Sequence, residues 1–307
     1  MNGFTHVPVM RDEIVGVFAT VPSGVVLDAT LGGAGHSEAL LDSRSDLSIL
    51  GIDQDVDALA AASTRLARFG SRAHVRHCRF DRLVDAMGDT GIEQLSGALF
   101  DLGVSSHQFD APERGFSYRH DAPLDMRMDA SRGRSASDIV NESPEDELAD
   151  LIHRFSDERF ARRIARAICA NRPITTTAEL ASIVASAIPA PARRRGGHPA
   201  KRTFQALRIA VNEELDVLPV ALDAAIEKTG KGGRVAVLSY HSGEDRIVKE
   251  RFAFHRTGGC QCPSTLPCVC GAVARVDVVR VASKPSAAEL ERNPRSASAR
   301  LRVVEIR

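Results

Sequence analysis

The chain has 307 residues, 43% of them hydrophobic, and its 40 Lys and Arg balance 40 Asp and Glu. That length buries a large core and suits one big domain or one domain carrying an insertion. A zero net charge gives no global signature of nucleic-acid binding, no apolar run is long enough to span a bilayer, and the first residues lack a charged-then-apolar leader; a soluble, cytoplasmic protein with no membrane partner is expected.

In chain order, residues 12–20 read as a short amphipathic helix opened by acids. Val25-Val-Leu27 is a short buried strand that enters the turn Asp28-Ala-Thr-Leu-Gly-Gly-Ala-Gly-His-Ser37, and a helix starts at His36. A second strand, residues 47–52, ends at Asp53, and an alanine-rich helix follows over 56–69. Residues 74–78 form a third strand, 83–87 lie in a helix, and 97–102 form a fourth strand. Strands and helices alternating at this spacing predict an α/β fold with a parallel, doubly wound sheet.

The alternation stops near residue 105 and resumes with a helix over 219–228 and strands over 233–239, 275–281 and 301–306. The stretch between is polar, Arg-rich and helical in pattern, with helices over 160–170 and 178–187. The division is therefore one α/β domain from residues 1–105 and 214–307, with a mostly helical insertion over 106–213. Charge is segregated within the insertion: residues 138–158 hold eight acids and one base, residues 159–208 eleven bases and one acid. That pattern fits a basic binding face or two ordinary solvated helical faces.

A glycine turn between strand and helix lets backbone N–H groups approach a ligand closely. An acid ~20 residues further on, at the end of the second strand, can accept hydrogen bonds from ribose hydroxyls, and Asp53 holds that place. The same pattern fits a nicotinamide cofactor. Gly-Gly-Ala-Gly in place of G-x-G-x-x-G favours a nucleoside without a pyrophosphate, such as S-adenosylmethionine (SAM). Asp53 could instead cap the following helix. Phe80, after the third strand, fits either the adenine face or the core. Asp101 ends the fourth strand, at the edge where open α/β sheets bind ligands, and an acid there needs a partner.

Longer motifs follow: Phe100-Asp-Leu-Gly-Val-Ser-Ser106 with Gln108, Glu113-Arg-Gly-Phe-Ser117, Pro123-Leu-Asp-Met-Arg-Met-Asp129, His198-Pro-Ala-Lys-Arg-Thr-Phe-Gln-Ala-Leu-Arg-Ile209, Asn212-Glu213 and Ser239-Tyr-His-Ser-Gly-Glu-Asp-Arg-Ile-Val-Lys249. With His6-Val-Pro-Val9 and Asn293-Pro-Arg-Ser296 they make nearly the whole chain resemble the bacterial 16S rRNA (cytosine-N4)-methyltransferase family, RsmH/MraW. The resemblance implies a Rossmann-like class I SAM-dependent methyltransferase sheet interrupted by a helical domain, and a product methylated at N4 of a cytidine in the decoding region of 16S rRNA. Carried over by motif, SAM contacts fall on Ala34, Gly35, His36, Asp53, Phe80, Asp101 and Gln108. Ala34 stands where the family often has glycine, so a backbone contact there requires a negative φ. Tyr240 stands where phenylalanine is frequent.

Many amino-methyltransferases hold the target amine with an Asp/Asn-Pro-Pro-aromatic motif after the fourth strand. This chain has Asp101-Leu-Gly-Val-Ser-Ser106 there, so the acceptor is sought in Asp101 or in a carbonyl or hydroxyl of residues 103–106, with Ser105 the candidate side chain. Asp101 has the alternative role of holding the SAM amino group. His241 either orders the site, or Glu244 and Arg246 form an ion pair beside it. Arg194, His198, Lys201, Arg202 and Arg208 are the RNA-binding candidates, with 16S rRNA or the small ribosomal subunit as partner. A homodimer is left open. With no Trp and two Tyr, base stacking is not the obvious mode. Cys260, Cys262, Cys268 and Cys270 read either as zinc ligands or as reduced loop cysteines, and no metal is assigned from their spacing. Two other functional classes fit parts of the sequence. One is a non-catalytic, SAM-binding ribosome-assembly factor, and the other is a small-molecule methyltransferase or NAD-dependent enzyme, against which the long basic insertion argues.

Overall fold

A computed structural model describes residues 8–105, 108, 111–193, 197–263, 265 and 269–307. The chain divides into two units, one comprising the residues up to Gly103 with Leu215–Arg307, the other Val104–Glu214.

The first unit is built on a sheet of order β3-β2-β1-β4-β5-β7-β6. Its elements are α1 (Arg11–Phe18), β1 (Gly24–Asp28), α2 (Gly35–Ser43), β2 (Leu47–Asp53), α3 (Val56–Leu66), β3 (Ala73–His77), α4 (Leu83–Asp89) and β4 (Leu95–Asp101). The later elements, numbered on from the helices of the second unit given below, are α10 (Glu214–Lys228), β5 (Thr229–Ser239), α11 (Ser242–Thr257), β6 (Val276–Val279), α12 (Ala287–Arg292) and β7 (Arg300–Ile306). The β1–β2, β2–β3, β1–β4 and β4–β5 pairs are parallel. β7 runs antiparallel between β5 and β6, so the sheet is mixed at one edge and parallel through the rest.

Side-chain alternation along the strands divides the core. Leu99, Ala236 and Leu238 face one layer, with Phe18 of α1 and Leu40 of α2. Ala98, Phe100, Val235 and Val237 face the other, with Met87 of α4, Leu222 of α10 and Phe252 of α11. Strands apolar on both faces require helices on both, which is why β1, β2, β4 and the second half of β5 read as near-continuous hydrophobic runs, while the partly exposed β3 does not. Leu31, in the turn after β1, packs into the space left by Gly51 of β2, where a Cβ would sit 2.6 Å from a Leu31 methyl. The third predicted helix is shorter than its pattern: α3 stops at Leu66 and a 3-10 turn runs over Ala67–Arg72. The helix expected to start at Pro219 starts at Glu214 and carries the proline inside it.

The second unit contains α5 (Ala136–Glu142), α6 (Glu145–Ser156), α7 (Ala161–Ala170), α8 (Thr177–Ala187) and α9 (Lys201–Asn212). Capping boxes start α5 (Ser135 with Asp138) and α8 (Thr176 with Glu179), satisfying N–H groups that a helix start leaves unpaired. Ile164, Ala165 and Ile168 of α7 join the core, while Arg162, Arg163 and Arg166 lie on its solvated face. Asn212, at the end of α9, bridges two backbone positions: its amide donates to Met126 O at 2.9 Å, and its carbonyl accepts from Met128 N at 2.8 Å. Asn212 thereby holds Met126, whose φ is +61°.

Candidate active site

In the first unit, the carboxyl ends of β1, β2 and β4 each deliver an aspartate, Asp28, Asp53 and Asp101, to the edge where parallel sheets bind ligands. The glycine turn between β1 and α2 is fastened to both flanking strands: Ala29 N donates to Leu99 O at 2.9 Å and Leu31 N to Ile52 O at 3.0 Å. Gly32 takes φ +48°, which turns its N–H onto Asp53 Oδ2 at 2.8 Å. Asp53 Oδ1 accepts from Asp55 N at 2.9 Å. The cap of α3 is Asp55, which accepts from Asp57 N, so Asp53 is not the helix cap. Burial pushes the Asp53 carboxyl up to about 6, against the two backbone N–H groups that pull it down, and the charges of Asp55 and Asp28 add to the rise.

Ala34 is fully buried and caps α2 with φ +60° and ψ 25°. The negative φ that its side chain favours is overturned because the turn must close over Leu31, to whose carbonyl Ala34 donates at 2.7 Å. Glycine would take that conformation without strain. A Cβ at Gly35 would lie 2.5 Å from Pro8 Cγ, so that position has no room for a side chain.

His36 is buried, and neither ring nitrogen has a hydrogen-bond partner among the described residues. Its Nε2 stands 3.5 Å from Asp101 Oδ2. Buried polar atoms in native folds almost always find partners, so this ring and the quarter-exposed Asp101 carboxylate mark a place for a polar ligand. Asp101 Oδ1 accepts from the Tyr240 hydroxyl at 2.6 Å, and Asp101 N donates to Thr30 Oγ1 at 2.6 Å. Burial first, then the Asp101 charge, pushes the Tyr240 phenol well above its ordinary 10.0, so it donates throughout the physiological range. Asp28 lies beneath, buried, accepting from Ser37 Oγ at 2.6 Å; burial pushes its carboxyl up.

Tyr240 is fixed by the start of α11. His241 caps that helix, its Nδ1 accepting from Glu244 N at 3.4 Å. Glu244 Oε2 accepts from Tyr240 N at 2.7 Å and His241 N at 3.2 Å. Glu244 therefore closes a capping box, and its other oxygen lies 3.1 Å from His241 Nε2 in place of the expected Arg246.

A family model for the MraW methylase family matches residues 3–307. The chain belongs to the MraW methylase family. It is 49% identical to the ribosomal RNA small subunit methyltransferase H of Symbiobacterium thermophilum, over 98% of this chain and 96% of that protein. It is 50% identical to the protein of the same name from Kocuria rhizophila, over 98% of this chain and 94% of that protein. Among solved structures, a putative rRNA methylase from Clostridium thermocellum aligns over 99% of this chain and 100% of its own at TM-score 0.44 and 11% identity, a likeness too distant to bear on chemistry.

In this MraW-family methylase the remaining sequence candidates fall in different settings. Phe80 opens a 3-10 turn after β3 and packs edge-on against Phe100, with ring centroids 6.1 Å apart. Ser105 and Gln108 belong to the second unit and bond each other: Ser105 N donates to Gln108 Oε1 at 2.9 Å, and Gln108 N to Ser105 Oγ at 3.3 Å. That reciprocity is the S-x-x-Q capping-box pattern, a local reason for both residue types. Arg208 is drawn from the exposed basic set by a bidentate pair with Glu214, at 2.8 and 2.9 Å, in which both side chains are largely buried. Lys201 and Arg202 are exposed at the start of α9, and Arg202 Nη1 lies 3.9 Å from Glu158. His198 is exposed and stacks on Tyr118 at 4.3 Å. Arg194, Ser106 and Cys268 lie outside the described residues. Among the described residues, no helix is long and apolar enough to cross a membrane.

Thr30, Ser37, Tyr240 and Glu244 are the site residues that sequence reasoning did not assign. Thr30 and Ser37 stood inside the glycine motif; the Tyr240–Asp101 bond joins positions 139 residues apart and has no local signal.

Proposed function

We propose that this chain transfers the methyl group of SAM to N4 of a cytidine in the decoding region of 16S rRNA. The observation that carries the reading is the convergence of the glycine turn, Asp53, His36 and Asp101 on one sheet edge, in a chain of the MraW methylase family whose close relatives are named for methylating small-subunit ribosomal RNA. The residues fit SAM. Each Asp53 oxygen accepts one backbone N–H and keeps a lone pair for a ribose hydroxyl. Phe80 offers an aromatic edge for adenine, and Gly35 and Gln108 stay cofactor candidates by resemblance alone; Ala34, fully buried at φ +60° with its N–H on Leu31 O, does not meet the condition for a backbone contact.

SAM supplies an already activated methyl on a sulfonium. The chain's work is alignment, which alone can lower the barrier by ~7–11 kcal/mol. Asp101, held by Tyr240, accepts from the N4 amine and draws its lone pair out of conjugation; Ser105 is the second acceptor candidate. N4 forms the new bond to the methyl carbon, the carbon–sulfur bond breaks with its electron pair going to sulfur, and N4 then releases a proton to water. His241 is held by Glu244 as a helix cap, so no base role is given to it. His198, Lys201 and Arg202, with Arg194, form the RNA-contacting set of the helical unit.

Labelled SAM incubated with small subunits, or with their naked RNA, tests the reading, with SAM affinity measured separately for Asp101→Ala and Ser105→Ala. Labelled N4-methylcytidine formed by the wild type and lost in Asp101→Ala supports it. SAM binding without transfer to any RNA replaces it with the assembly-factor reading.

A further inference from the structure

We propose that Cys260, Cys262 and Cys270 form a structural zinc site. Their three sulfur atoms all lie within 4.8 Å of one another. Tetrahedral zinc with bonds of ~2.3 Å holds its sulfurs ~3.8 Å apart, so closing on an ion requires side-chain shifts of about an ångström and no change of fold. A disulfide would engage only two of these three sulfurs. A thiophilic divalent cation uses all three and leaves one tetrahedral position for water or another donor.

The backbone is already shaped for thiolates. Cys262 N donates to Cys260 Sγ at 3.4 Å, a bond that orients a sulfur and stabilises negative charge on it. Gly271, directly after Cys270, has φ +70°, and Gly258 and Gly259 before Cys260 have φ +63° and +76°. These residues turn the chain sharply on either side of the sulfurs. At Gly258 a Cβ would fall 2.4 Å from Val273 O, so the two arms of the loop touch there.

The surroundings explain why a cross-link is needed. No helix or strand is assigned between Thr257 and Val276 among the described residues. Val269 and Val273 are 89% and 73% exposed, so the loop buries little apolar surface of its own. Its ends are tied by Cys260 N to Thr257 O at 3.2 Å and Arg275 N to His255 O at 2.8 Å. A long loop without a core is held by such ties or by a metal. Zinc here would fasten the end of α11 to the start of β6, and its role is structural and independent of methyl transfer.

The test uses the full chain, purified reduced and without a tag, then dialysed against zinc. Elemental analysis should give about one zinc per chain. Cobalt substitution should give intense thiolate-to-cobalt charge-transfer absorption in the near ultraviolet, with tetrahedral d–d bands. Cys262→Ser and Cys270→Ser should each lose most of the metal and speed proteolytic cutting within residues 258–275. Wild-type protein that holds less than a tenth of an equivalent of zinc and gives no charge-transfer band with cobalt overturns the proposal, whether or not the variants fold. Full zinc occupancy in both serine variants overturns it equally, as does iron found in place of zinc.

Discussion

The hydroxyl of Tyr240 offers a direct test of how Asp101 is held. Tyr240→Phe deletes one oxygen from a half-buried ring and leaves the packing of that ring intact. What is lost is a 2.6 Å bond to Asp101 Oδ1. Hydrogen bonds to charged groups are worth ~1.5–3 kcal/mol. The Asp101 side chain is 25% exposed, so water can replace the donor in part, and the low end applies. About 1.5 kcal/mol corresponds to roughly a tenfold effect. Where that factor falls identifies the role of Asp101. If the carboxylate serves the SAM amino group, titration calorimetry should show SAM binding weakened about tenfold, with single-turnover methyl transfer at saturating SAM nearly unchanged. If it serves the cytosine amine, SAM affinity should hold and the single-turnover rate should fall about tenfold. The phenol is pushed well above 10.0 by burial and by the Asp101 charge, so the wild-type rate should show no inflection from this group below pH 9. A change under about twofold in both affinity and rate would refute the reasoning, and a loss beyond about a thousandfold would make the hydroxyl essential, which a modest orienting bond is not.

Three further outcomes follow from the same geometry. The Asp53 carboxyl, raised to about 6 from an ordinary 3.8, is costly to ionise in the fold: the penalty, at most ~3 kcal/mol, is present above pH 6 and is relieved as pH falls towards 3.8. SAM affinity should therefore weaken as pH drops through about 6, with Asp53→Asn flattening the titration; an affinity independent of pH between 5 and 7.5 would contradict the assignment. Ala34→Gly should be tolerated within ~1 kcal/mol in denaturant unfolding, because relief of ~1–2 kcal/mol of left-handed strain offsets a lost methyl and a more flexible unfolded chain, whereas Ala34→Val should cost more than ~3 kcal/mol; equal tolerance of both would deny the strain. Arg208→Ala should destabilise by ~3 kcal/mol by stranding buried Glu214, while Lys201→Glu should keep its melting temperature and lose RNA affinity with a shallower salt slope; unchanged RNA affinity in that variant would remove Lys201 from the interface.

The α/β frame was legible because its central strands β1, β2 and β4 are apolar on both faces and turn residues punctuate them. Asp53 and Asp101 could be placed at one edge from order alone, since parallel strands end on the same side; Asp28 joins them only in the structure. What strand order does not encode is how distant side chains meet: Tyr240 reads as a near-silent replacement of phenylalanine, yet its hydroxyl is a bonding partner of Asp101. Ala34 reads as an ordinary small residue because its sequence carries no sign of φ; closure over Leu31 sets that sign. Arg208 and Arg202 look alike in a basic stretch, but six positions of helix carry one into a buried pair and leave the other at the surface. The antiparallel insertion of β7 between β5 and β6 was also invisible, because a short apolar run is the same in either direction.

Methyl transfer to a decoding-region cytidine is tested most directly by mass mapping of methylated cytidines in small-subunit rRNA from cells with and without this protein. One cytidine in the decoding region should carry an N4-methyl in the parent, lose it in the deletion strain and regain it with the wild-type chain but not with Asp101→Ala. An unchanged methylation map in the deletion strain would contradict that function.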